Sequence, residues 1–126
     1  MESGLGDAAI VIGRIIFGGC FLISAVLNYG NIGMHAEVAK RYNIGYPRLM
    51  VIASITFLTI IDVLITLGIW TSISAIGMIM FLAVITPLYH DFWRHTGGER
   101  VRKLHHTLEN GAIIGALMII AAVYWP

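Results

Sequence analysis

Few side chains in this sequence could do chemistry, and they fall into two groups. The first is His90-Asp91-Phe92-Trp93-Arg94-His95 with the later His105-His106 and Glu109-Asn110. His105 and Glu109 are four residues apart and share one helix face, while His106 and Asn110 occupy the adjacent stripe. Imidazoles and carboxylates at these spacings suit a metal such as zinc, iron or copper, with His95, His106 and Glu109 as ligands. No tight signature such as HExxH accompanies them. The same stretch suits a quinone head group, which needs a hydrogen-bond donor near each carbonyl and a proton path from water. His90, Asp91, Trp93, His105 and Asn110 would supply these beneath an apolar tail channel. The plainer alternative is a polar connection at a membrane interface.

The second group is Arg14 and Asp62, each inside an apolar run. An ionisable group in hydrocarbon costs about 2.5–3.5 kcal/mol on insertion scales and so needs a reason. Counted from the nearest interface, Arg14 lies about 9 Å deep and Asp62 about 12 Å deep. Similar depth and opposite charge predict an intramembrane ion pair, which would either fix helix register or handle a proton or ligand. Thr59, Asp62 and Thr66 form one inward stripe at spacings of three and four. Asn28, four residues after Ser24, is expected to hydrogen-bond within the bundle, and Cys20 to act as a small apolar filler.

The elements that must position these residues follow from composition. Of 126 residues, 58% are hydrophobic and only 12% charged, with net charge +1. Soluble domains carry roughly 45–50% and about 25%. Disorder and nucleic-acid binding are excluded, and one cysteine excludes a disulfide framework. A span needs about 20 apolar residues. The block Leu49 to Tyr89 would reach roughly 60 Å as one helix, twice the hydrocarbon thickness, so it is two spans turning at Gly68–Ser72. The expected fold is all-α, a single integral-membrane four-helix bundle over 1–126 with spans near 8–28, 49–70, 73–90 and 105–125. Gly111 and Gly115 are expected to pack inside that bundle.

Glu2 and Asp7 precede the first apolar stretch where a signal peptide would carry basic residues, so this stretch reads as a span. Lys40, Arg41, Arg48, Arg94, Arg100, Arg102 and Lys103 fall in the two longer loops. Loops 29–48 and 91–104 are therefore expected to be cytoplasmic, with both termini outside, in a multi-pass cell-membrane protein. Tyr42, Tyr46, Tyr89 and Trp93 mark one interface; Trp70, Tyr124 and Trp125 mark the other.

Several stretches together resemble the DoxX family: Gly13-Arg14 with Ser24 and Asn28; Asp62 ahead of Leu64, Leu67 and Gly68; His90-Asp91-Phe92-Trp93; and His105 with Glu109-Asn110-Gly111. Asp62 stands where that family often carries Glu, and Glu109 departs from its usual Lys-Asn pattern. The resemblance implies a compact four-helix membrane bundle and an association with quinone-linked sulfur oxidation, notably thiosulfate:quinone oxidoreductases, or other membrane oxidoreductase complexes. The expected function is a small membrane subunit of such a complex, contributing to a quinone pocket and partnered by lipids and larger membrane subunits. A structural accessory subunit of a larger enzyme, such as a monooxygenase or terminal oxidase, is the alternative, and a small transporter a third reading.

Overall fold

The computed structural model describes residues 2–126, with side chains from Gly4 onward. Regular structure among these residues is helical: α1 (Glu2–Tyr29), α2 (Ile32–Arg41), α3 (Pro47–Leu67), α4 (Thr71–Tyr89), a 3₁₀ turn at Phe92–Arg94, and α5 (Gly97–Val123). Four segments, Gly4–Tyr29, Pro47–Leu67, Thr71–Arg94 and Gly97–Val123, are long and apolar enough to cross a membrane.

Two features differ from the expectation. The first long loop contains a helix, α2, because Ile32, Ala36 and Ala39 repeat at helical spacing and present one apolar edge. Ala39 is fully buried against Val51 and Ile55 of α3, while Lys40 and Arg41 lie in the last turn, where cations suit the helix dipole. Helix α5 begins at Gly97, two turns before the apolar run. There Arg102 donates to Glu99 at 2.6 Å across one turn, a pairing that supports helix in the polar zone. Apolar length measures hydrocarbon thickness, and a helix extends past it wherever its polar turns are paired.

Helix α3 packs against α1, α2 and α4, and α4 packs against α5. The core joins Ile61 and Ile65 of α3, Ala75, Met78 and Leu82 of α4, and Leu117 and Ala121 of α5, with Phe17 and Phe21 of α1 against it. Ile16, Ile23, Leu27, Ile60, Ile73, Val84, Met118 and Ile119 face outward, as lipid-facing positions do. Cys20 is exposed on the same kind of surface instead of filling the core.

The closest approach is at Gly18. A Cβ placed there would lie 2.9 Å from the backbone N of Thr66 and 3.1 Å from its Cα, so only hydrogen fits between α1 and α3. Gly111 and Gly115 differ: a Cβ at either meets nothing within 4 Å. Their small-residue edge lies on the outside of the bundle, contrary to the expected internal packing.

The end of the bundle carrying the termini is laced by polar contacts. Gly68 closes α3 with φ +76, and a Cβ on it would lie 2.8 Å from Cζ of Arg14. The Arg14 guanidinium therefore covers the α3–α4 turn and donates to the Tyr124 hydroxyl at 3.1 Å. Ser72 donates to the Ala121 carbonyl at 2.9 Å, joining the start of α4 to α5.

Gly18→Val is expected to force α1 from α3 and cost about 1–3 kcal/mol, lowering the thermal midpoint in detergent by several degrees. Gly19→Ala, where no atom lies within 4 Å of an added Cβ, should leave it unchanged. Circular-dichroism melts of the two purified variants test this.

Candidate functional site

The polar residues at the opposite end of the bundle gather around Asp91, at the junction of α4 and the 3₁₀ turn. Only 5% of Asp91 is exposed. Its Oδ1 accepts from the Tyr42 hydroxyl at 3.0 Å, lies 3.2 Å from His95 Nε2 and 3.4 Å from Lys103 Nζ. The lysine ammonium also donates to the Tyr42 oxygen at 2.7 Å and to the Tyr89 carbonyl at 3.0 Å. One carboxylate, one ammonium and one phenol from the α2–α3 connection, the α4 end and α5 thus satisfy each other. A paired carboxylate and ammonium of this kind are tolerated out of water because each supplies the other's missing solvation.

His90 and Asn110 are not part of that cluster. The His90 ring stacks on His106, centroids 5.1 Å apart and 26° between planes, and the His90 carbonyl accepts from Thr107 at 3.3 Å. Asn110 donates to Thr86 at 3.0 Å. His105 is exposed on the outer face of α5, and Trp93 is 53% exposed at the rim. The five residues expected to form a quinone head-group site are therefore split: Asp91 is consumed by internal partners, His90 and Asn110 brace α4 against α5, and His105 and Trp93 point away. They do not form a cradle for a ring.

The expected metal ligands are separated as well. The 3₁₀ turn folds His95 back onto Asp91, whereas His106 sits on α5 with its Nδ1 3.4 Å from Glu109 Oε2. Among the described residues, no three His, Cys, Asp or Glu side chains converge on one point.

Arg14 and Asp62 do not pair either, and the contact at Gly18 explains why. Helices α1 and α3 run antiparallel with Gly18 level with Thr66, which puts Leu22 level with Asp62. Arg14 lies eight residues beyond Leu22, about 12 Å nearer the end with the termini. Its long side chain reaches to Tyr124, at the C-terminal end of α5. Asp62 is 1% exposed, and its Oδ1 has no hydrogen-bond partner among the described residues. The neighbouring threonines turn to their own helix: Thr59 donates to the Ile55 carbonyl at 2.7 Å and Thr66 to the Asp62 carbonyl at 2.6 Å.

A different site emerges between α3 and α4 beneath α2. An open apolar groove of about 610 Å³ runs there, walled by residues such as Val51, Ile55, Phe81, Val84 and Leu88 and floored at Gly77. At its lip, His35 Nε2 of α2 lies 3.3 Å from Asn28 Oδ1 of α1, and Ser54 of α3 also lines the groove. With the imidazole N–H donating to Asn28, the amide N–H of Asn28 and the Ser54 hydroxyl remain for a ligand acceptor. Asn28 does bond within the bundle, as expected, but through His35. The sequence offers a late signal for this pair: they are two helical turns apart once α2 is seen to continue α1 after the break at Gly30–Asn31. Tyr42 and Lys103 were legible only as an interfacial aromatic and a topogenic charge.

A four-span helical bundle with short connections and polar clusters at its ends is a multi-pass membrane protein. The chain belongs to the DoxX family, whose family model matches residues 9–91. The match runs from α1 to the Asp91 junction, so Lys103, His105, His106 and Asn110 lie beyond it. No curated protein and no solved structure matches the chain.

If Asp91 and Lys103 compensate each other, Lys103→Met and Asp91→Asn should each destabilise by about 1–3 kcal/mol, the cost of leaving the other group unpaired. The double variant should lose less than the sum of the two. Denaturation in detergent of the three variants and the parent gives the coupling energy directly.

Proposed function

We propose that this DoxX-family protein is a small integral-membrane subunit of a membrane-bound oxidoreductase complex, contributing a quinone pocket. The observation that carries the reading is the α3–α4 groove with its single polar lip. An apolar channel open to the lipid suits an isoprenoid tail, and a few convergent polar groups at one end are what fix a ring's orientation. Asn28 and Ser54 would donate to a ring carbonyl, and His35 would stand between the ring and water as the group able to hold or pass a proton. A quinone bound there would supply acceptance of two electrons and two protons. The absence of thiolate clusters and of a second chemical centre among the described residues fits a subunit whose electrons come from a partner chain.

We infer too that the end carrying α2 and the 3₁₀ turn faces the cytoplasm. Lys40, Arg41, Arg48, Arg94, Arg100, Arg102 and Lys103 all lie there, while Arg14 is tied to the opposite end. A second reading, a structural accessory subunit, is favoured by the outward Gly111–Gly115 edge, which would let another helix approach closely.

Extraction of native membranes in mild detergent distinguishes the two. Pocket function predicts co-purification with larger chains at fixed ratio and about one solvent-extractable quinone per chain, reduced severalfold in His35→Ala and Asn28→Leu variants that still assemble. Fixed stoichiometry without quinone would leave the accessory role, and a solitary chain without quinone would overturn both.

A further inference from the structure

A second cleft, which shares Leu88 with the groove, opens above the Asp91 cluster. Its volume is about 590 Å³, and the end of α2, the end of α4, the 3₁₀ turn and the first turns of α5 enclose it. The charges around it do not cancel. Lys103 is occupied by Asp91, and Arg102 by Glu99 at 2.6 Å. Arg41 and Arg94 remain at the mouth, exposed and with no carboxylate within salt-bridge distance among the described residues. His95 lines the cleft too, its Nε2 turned to Asp91. Asp91 and Glu99 are the acids of the cleft, and each already has its cation.

Below the two arginines the lining turns apolar, through Val38, Pro87 and Leu88, and continues into outward-facing positions such as Val84. The order from the loop end inward is therefore two free guanidiniums, a polar chamber, then hydrocarbon-facing side chains. Guanidinium forks bind phosphate oxygens bidentately, and basic pockets between spans hold anionic head groups. We propose that this cleft binds the phosphate head group of an anionic phospholipid, with Arg41 and Arg94 on the phosphate and the acyl chains descending along Val38, Pro87 and Leu88. A lipid seated there would bridge α2 to the α4–α5 junction, reinforcing the contacts that Tyr42 makes with Tyr89, Asp91 and Lys103.

The test uses the full chain, delipidated in detergent and offered phosphatidylglycerol or phosphatidylcholine, with bound lipid read by native mass spectrometry. The expected result is retention of one phosphatidylglycerol and little phosphatidylcholine, weakened by added salt. Arg41→Gln/Arg94→Gln should lower retention about tenfold or more, while Lys40→Gln/Arg48→Gln, which removes the same charge outside the cleft, should not. Glycerol 3-phosphate and inorganic phosphate should not displace the lipid, because neither has chains to lie on the apolar wall. Equal retention of both lipids, equal loss in the two double variants, or displacement by free phosphate would each overturn the proposal. The salt dependence and lipid preference of the unmodified chain stand even if a variant fails to fold.

Discussion

Hydrocarbon offers one apolar helix no reason to prefer another helix over lipid, so this bundle depends on close fit and on polar ties. The close fit is concentrated where α1 meets α3, and it is possible because residue 18 has no side chain. That single contact sets the register of the two helices, and through it the depth of every polar group they carry. The polar ties lie at the two ends: Arg14 with Tyr124 and Gly68 at one, and Asp91 with Tyr42 and Lys103 at the other. Between them the core is apolar apart from Asp62 and small hydroxyl residues of α4.

This distribution separates stability from binding. The buried charges Asp91 and Lys103 partner each other and brace the connections, whereas Asp62, at 1% exposed, leaves its Oδ1 without a hydrogen-bond partner among the described residues. The groups on which the two proposals rest are less conspicuous: the Asn28–His35 lip of the groove, and the two arginines over the second cleft. Of the histidines and acids clustered in sequence, His95 meets Asp91 and His90 stacks on His106, while His105 is exposed, because a 3₁₀ turn and the start of α5 distribute them around a corner instead of gathering them at a point.

Much of the architecture was legible in the sequence because hydrocarbon thickness imposes a length that can be counted. The turn at Gly68 and the division of the second apolar block came directly from that length. Helix α2 escaped because ten residues with one apolar edge look like a polar loop when only apolar runs are counted. The Arg14–Asp62 pairing failed for a related reason: depth counted from each end assumes both helices begin at the same plane, whereas register is set laterally by the smallest residue in the contact. His35 and Lys103 were visible as residues, but their partners are brought to them by the α1–α2 break and by α5, neither of which periodicity locates to within a turn.

The Asp91 cluster also has a temporal meaning. Its members are synthesised in the order Tyr42, Asp91, Lys103, so the carboxylate emerges with its phenol already available and its ammonium still to come. Until the first turns of α5 leave the ribosome, the end of α4 carries an incompletely compensated acid that favours contact with water or head groups over burial. Compensation of Asp91 is therefore complete only once the first turns of α5 have been made and Lys103 is in reach.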